Sequence, residues 1–132
     1  MSKEFTHEIK VYYEDTDSGG VVYYSNYLKF LERARTEMIN SIGLSNKKLL
    51  NEYKTLIIVK SCNIDYMKPA KLEDQLQIYS SIESFNKASF VMKQNIKKVD
   101  DLIIKAKLKL VTVNQEGKPV KIPSVLEKQF TS

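Results

Sequence analysis

The chain has little of what many catalytic and structural devices require. Of its 132 residues, one is cysteine, Cys62, and one is histidine, His7. A lone cysteine excludes an internal disulfide. Cys62 lies in an apolar stretch without a CxxC partner, where a free thiol acts as a small buried or half-buried side chain. A lone histidine means that any Ser/His/Asp or Cys/His site would have to use His7. That residue lies early in a β-favouring segment with no serine or cysteine beside it, the setting of an ordinary strand histidine. HxxxH and CxxC metal patterns are absent, as are Walker and Rossmann glycine loops, so no metal and no cofactor is expected. An enzyme with this inventory works mainly with carboxylates and backbone dipoles.

Arginine is scarce as well, with only Arg33 and Arg35, and the formal charge of +5 comes from lysines scattered along the chain. Base-edge readout favours arginine, and no helix-turn-helix, zinc-finger or RNP-like pattern accompanies the charge, so a nucleic-acid partner is not expected. No stretch approaches the roughly eighteen consecutive apolar residues of a membrane helix. The N-terminal MSKEFTHEIK lacks the apolar run of a signal peptide. The expectation is a cytoplasmic protein without stable membrane insertion, folded as a single domain over residues 1–132. Its 42% hydrophobic content suffices for an ordinary core, and linkers, repeats and low-complexity segments are absent.

What is present is ordered by hydrophobic period. Residues 5–13 favour β structure and run into the turn-forming cluster EDTDSGG. Next, Tyr27, Leu28, Leu31, Ala34, Arg35, Met38 and Ile42 recur at helical spacing, which predicts a main helix over Ser25 to Ile42. Ser25 or Asn26 can cap its start and Gly43 supplies its stop. Ser45 can cap a short second helix, NKKLLNEY. The period then changes to two across TLIIVKSCNIDYM, DQLQIYSSIESF, ASFVMKQNIKKV and LIIKAKLKLVTV. In the last of these, Leu102, Ile104, Ala106, Leu108 and Leu110 face one way, with Lys105, Lys107 and Lys109 opposite. The tail after Pro123 shows no pattern. One strand, a long helix, a short helix and four further strands give an α+β fold, an antiparallel sheet on a single central helix.

Acids, paired glycines and a helix start concentrate in one place, Glu14 to Tyr24. The first-turn N–H groups of a helix lack intrahelical acceptors and carry the positive end of its dipole, so they can hold a developing oxyanion. Asp17 lies just upstream, on a loop able to return it to that point. The plainer reading of the same residues is an acidic, glycine-containing turn whose aspartates cap backbone amides.

The run Tyr13-Glu14-Asp15-Thr16-Asp17-Ser18-Gly19-Gly20-Val21-Val22-Tyr23-Tyr24-Ser25-Asn26-Tyr27-Leu28, continuing to Phe30-Leu31-Glu32-Arg33-Ala34-Arg35, resembles the 4-hydroxybenzoyl-CoA thioesterase family of hotdog proteins. It is most similar to the bacterial Tol-Pal-associated acyl-CoA thioesterase branch. The passage Ile64 to Asp74, containing Tyr66, Pro69 and Ala70, resembles a second family motif, and Gly117-Lys118-Pro119 with Ile122-Pro123 resembles its last turn, so the likeness covers nearly the whole chain.

The resemblance implies a hotdog fold, with the sheet wrapped around the long helix, and thioester hydrolysis. Asp17 matches the family carboxylate that either attacks the thioester carbonyl or activates a water. Tyr24 matches the position whose backbone N–H polarises that carbonyl. Many members of the Tol-Pal branch have histidine where this chain has Tyr24, while the hydroxybenzoyl-CoA branch resembles it in having tyrosine. Gly20, Val22, Tyr27 and Glu32 are implied as substrate contacts, although Glu32 also reads as an exposed acid paired with Lys29, Arg35 or Thr36. Lys60, Lys68 and Lys87 are candidates to hold CoA phosphates. A short aliphatic acyl-CoA is the expected substrate, with an aromatic acyl group next and an acyl carrier protein as an alternative thioester donor. A non-catalytic acyl-thioester-binding module is the reading from another class. Homo-oligomers, as dimers or dimers of dimers (a homotetramer), are likewise implied by the resemblance.

Overall fold

A computed structural model of the protein describes residues 3–131. Its five strands are β1 (Phe5–Lys10), β2 (Leu56–Tyr66), β3 (Gln75–Phe85), β4 (Ser89–Lys98) and β5 (Asp101–Val113). They form one sheet in the order β1-β3-β4-β5-β2, every neighbouring pair antiparallel. The helices are α1 (Tyr24–Asn40), α2 (Asn46–Tyr53) and α3 (Ser124–Phe130).

The period-two residues do what alternation requires: on β3, β4 and β5 one face is buried and the other is wet. Cross-strand rows of that inner face run Ile78–Ile96–Ile104 and Ile82–Met92–Leu108. Against them α1 buries Tyr27, Phe30, Leu31 and Ala34. Leu28, assigned to the stripe from its spacing, is instead 48% exposed, because the buried face is centred on Tyr27, Leu31 and Ala34 and takes in Phe30. Within the apolar row beneath the helix lies one polar pair, Ser80 and Gln94, both fully buried. The Gln94 amide donates to Ser80 Oγ (2.9 Å) and to the Leu31 carbonyl (3.0 Å), and its carbonyl accepts from Arg35 Nη1 (3.1 Å), so every one of its polar atoms is satisfied.

Several local expectations shift. The first strand stops at Lys10 rather than at residue 13, because a short 3-10 turn, Tyr13–Asp15, follows. Neither Ser25 nor Asn26 caps α1: the helix starts at Tyr24, Tyr23 is the N-cap without a side-chain bond, and the last helical residue is Asn40. The predicted Ser45 cap is present, its Oγ accepting from the Lys48 N–H at 2.9 Å. On β5, one extra residue, Ile103, separates the Ile96–Ile104 pair from the Lys97–Leu102 pair. This bulge puts Leu102 on the face of Lys97 and buries Ile103, reversing the expected orientation of Leu102. The tail after Pro123 forms α3, whose Leu126 and Phe130 are buried and whose Phe130 ring packs on Phe85 and Phe90. Only two buried residues anchor this seven-residue helix, too few for a periodic signal to show.

Candidate active site

The loop between β1 and α1 is held by its own acids. Thr16 and Val22 form an antiparallel bridge, and within it the Asp17 N–H donates to the Val21 carbonyl (2.9 Å). The Gly20 N–H donates in turn to the Asp17 carbonyl (3.0 Å). One carboxylate oxygen of Asp17, Oδ1, accepts from Gly19 N–H at 2.8 Å and lies 3.4 Å from Val21 N. Gly20 takes the left-handed backbone conformation at φ +80°, which closes the turn at little steric cost. At Gly19 the constraint is space rather than backbone conformation: a Cβ there would sit 3.3 Å from Asp17 Oδ1 and press on the carboxylate.

A second segment is sewn to this loop. Leu72 N–H donates to the Gly20 carbonyl (3.0 Å), Val22 N–H to the Ala70 carbonyl (2.9 Å), and Val21 bridges Lys71. From α1, the buried Tyr27 hydroxyl accepts from the Ala70 N–H at 3.1 Å. Burial pushes the Tyr27 phenol above its ordinary pKa, an effect the Ala70 N–H partly offsets, so the side chain stays protonated at neutral pH.

Asp15 sets where the helix begins. Its buried carboxylate accepts from the Tyr12 N–H (2.9 Å) and from Asn26 Nδ2 (2.8 Å), and its carbonyl accepts from the Tyr23 N–H (3.3 Å). The Asn26 side chain is therefore spent on Asp15 instead of on capping the helix. Tyr24 opens the first turn, where helical geometry provides its N–H with no acceptor.

These connections bring Asp17, Val22, Tyr24, Tyr27 and Lys68 to one open cleft of about 570 Å³. Among the walls not assigned from sequence are Tyr66, Met67 and Pro69. The Tyr66 ring lies 4.6 Å from that of Tyr24 and 5.9 Å from that of Tyr27, and Tyr24 and Tyr66 remain 71% and 44% exposed. Lys68 Nζ pairs with Asp101 at 3.0 Å, an exposed contact that a phosphate can displace at small cost. Gly20 shapes the loop from behind through its carbonyl.

The other assigned residues lie apart. Glu32 accepts from the Thr36 hydroxyl and, with Arg35, lines a separate cavity that shares no residue with the cleft. Lys60, beside the β2 bulge, and Lys87, in the β3–β4 turn, are exposed and line neither space. No group of His, Cys, Asp and Glu suited to a metal occurs among the described residues, and no helix there is long and apolar enough to cross a membrane. Asp15, Asn26 and Tyr66 are the residues that reading the sequence left out. Asp15 stands in the acidic loop and Tyr66 in the Ile64 to Asp74 passage, whereas Asn26 looked like a cap.

The cleft therefore offers a carboxylate, a helix N-terminus and an aromatic wall. Known proteins carry the same framework. The model of the thioesterase-like superfamily matches residues 11–130. The acyl-CoA thioesterase YbgC of Haemophilus influenzae is 36% identical over 131 residues, covering 98% of this chain and 96% of its own. The acyl-CoA thioester hydrolase YbgC of Escherichia coli is 36% identical over 128 residues, covering 96% of this chain and 95% of its own. Among solved structures, a probable thioesterase from Bartonella henselae superposes with a TM-score of 0.88 at 31% identity, over 92% of this chain and all of that one. The 1,4-dihydroxy-2-naphthoyl-CoA thioesterase of Synechocystis gives 0.90 at 24% identity, a likeness of fold, over 98% of this chain and 97% of its own. The sheet and central helix are thus the hotdog arrangement, and this chain belongs to the thioesterase-like superfamily.

Proposed function

We propose that the chain is an acyl-CoA thioesterase that releases a short-chain acid and CoA, with Asp17 as its catalytic carboxylate. The observation that carries this reading is the cleft shared by the Asp17 carboxylate and the first turn of α1. The Tyr24 N–H polarises the thioester carbonyl and holds the oxyanion as charge develops. Asp17 then acts by one of two balanced routes. In the first, its carboxylate adds to the carbonyl carbon, the C–S bond breaks, CoA leaves as a thiolate, and water cleaves the acyl-aspartyl anhydride. In the second, it takes a proton from the water that adds to the same carbon, and the thiolate leaves with the acid formed directly.

Lys68 receives the CoA phosphates, exchanging Asp101 for a stronger anion, while Lys60 and Lys87 are the further phosphate candidates. The aromatic wall of Tyr24, Tyr27 and Tyr66 meets the acyl or pantetheine portion. An eleven-residue edge strand, β2, with Ile58, Val59 and Tyr66 exposed, supports pairing of two copies through this edge.

Release of CoA thiol from short, long and aromatic acyl-CoAs, measured for wild type beside Asp17→Asn, tests the reading. Turnover that falls by orders of magnitude in the variant, with unchanged unfolding, supports it. Full turnover in Asp17→Asn overturns the assignment of Asp17, and a folded wild type inert on every acyl-CoA overturns the activity.

A further inference from the structure

Lysines that are scattered along the chain are gathered by strand register onto one surface. On the inner face of the sheet, Met92, Gln94 and Ile96 of β4 and Ala106, Leu108 and Leu110 of β5 are buried. The residues alternating with them point the other way, Lys93 and Lys97 on β4 and Lys105, Lys107 and Lys109 on β5. Lys93 stands directly opposite Lys107, and both are exposed. Like charges in that position lower stability.

The acids on this face offset the row only in part. Glu83 pairs with Lys107 at 2.9 Å, Asp65 stands opposite Lys105 on the edge strand β2, and Glu8 lies out on β1 beside Gln77. Lys93, Lys97, Lys105 and Lys109 have no carboxylate within 4.0 Å among the described residues. Cations held together against their own repulsion are complemented by anions from outside. Three features of the face select among polyanions. It carries no arginine, and the outward ring of β3, Tyr79, is already covered by Lys97 Nζ at 5.5 Å, so base edges and bases find neither a fork nor a free stacking platform. Its apolar residues lie at the ends, Val91 and Val111 at one and Leu102 at the other, whereas protein interfaces centre on apolar or aromatic anchors and are depleted in lysine. None of the lysines lines the cleft or the separate cavity beside Glu32, so no groove collects them. An open array of point charges on flexible stems matches an open array of phosphates.

We infer that the outer face of the sheet, centred on Lys93, Lys105, Lys107 and Lys109, is a docking surface for an anionic phospholipid bilayer, on which the protein adsorbs without inserting. Adsorption of this kind rests on charge, so it weakens as salt screens the headgroups. Each lysine held at an anionic bilayer surface strengthens it roughly fivefold. The inference rests on the sheet face alone and is independent of the Asp17 cleft and of the proposed activity.

The test is sedimentation of the full chain with unilamellar vesicles, made of phosphatidylcholine mixed with phosphatidylglycerol or of phosphatidylcholine alone. Wild type is compared with a face variant, Lys93→Gln with Lys105→Gln and Lys109→Gln, and with a control that loses the same charge at exposed positions elsewhere, Lys3→Gln with Lys29→Gln and Lys47→Gln. The face variant keeps the Lys107–Glu83 pair and relieves the contact between Lys93 and Lys107, so it should melt no lower than wild type. Wild type is expected to bind the phosphatidylglycerol vesicles at low salt, to leave them at high salt and to ignore phosphatidylcholine. Partitioning should fall about tenfold or more in the face variant and less than about threefold in the control. No binding by wild type, equal binding to both kinds of vesicle, or equal losses in the two variants overturns the surface. Duplex DNA bound as tightly as the vesicles, and lost in the same face variant, overturns the lipid assignment in favour of nucleic acid.

Discussion

Asn26 Nδ2 donates to the buried carboxylate of Asp15 at 2.8 Å, a side-chain bond that ties the third residue of α1 back into the loop before it. It fixes where α1 begins and so where the Tyr24 N–H points.

Asn26→Ala leaves Asp15 with the Tyr12 N–H as its remaining side-chain partner in a buried position. A hydrogen bond to a charged group contributes about 1.5–3 kcal/mol, so the unfolding free energy should fall by up to that amount and the denaturant midpoint should drop in proportion. Turnover of the folded fraction should fall as well, since the helix start loses its tether. An unchanged midpoint would show that the bond contributes nothing net.

Gly19→Ala tests the placement of the Asp17 carboxylate without touching its chemistry. The added Cβ meets Asp17 Oδ1 at 3.3 Å, and the backbone at this position is not left-handed, so folding should be nearly unaffected. Misplacement of a catalytic group by about 1 Å costs as much as roughly a hundredfold in rate, and a shift of a few tenths should cost several-fold in kcat. Steady-state kinetics beside a thermal melt separates the two effects.

Gln94→Leu removes one side chain on which Ser80, the Leu31 carbonyl and Arg35 all converge. Leaving buried polar groups unpaired costs about 1–3 kcal/mol each in the unfavourable cases, and urea unfolding should show a loss in that range. Adding Ser80→Ala should recover part of it, because the orphaned hydroxyl is then absent. A double variant less stable than the single would contradict this account.

Alkaline pH should expose the contribution of Tyr27. Its pKa is raised in the folded state by burial, so the folded chain holds the phenol proton more tightly than the unfolded chain does. The associated stability is fully present below the ordinary tyrosine value of 10.0 and is lost as pH rises through the higher folded value. Wild type should therefore lose melting temperature more steeply than Tyr27→Phe above pH 10. Parallel slopes for the two proteins would remove Tyr27 as the cause.

Much of the candidate site was legible because it is local. Asp17, Gly20, Val22, Tyr24 and Tyr27 lie within eleven consecutive residues that form one turn and one helix start; four of them line the cleft, and Gly20 turns the loop beside it. Tyr66 was harder to assign, since only the pairing of residues 70–72 with residues 20–22 carries its segment to Tyr24. Glu32 and Arg35 stand one helical turn apart and so read as neighbours. That they border a different cavity from Asp17 depends on how α1 lies against the sheet and α3.

By itself, the sequence determined the number and kind of the long elements, the Ser45 cap and the acidic glycine turn before α1. Each of these follows from side-chain period or from bonds between residues a few positions apart, which act wherever the chain goes. Tertiary structure alone decided the strand order β1-β3-β4-β5-β2, the bulge at Ile103 that turns Leu102 outward, and the folding of the tail as α3. It also decided the use of Asn26 as a tether instead of a cap. Those outcomes depend on partners distant in sequence or on which surface is left to cover, and no local pattern encodes either.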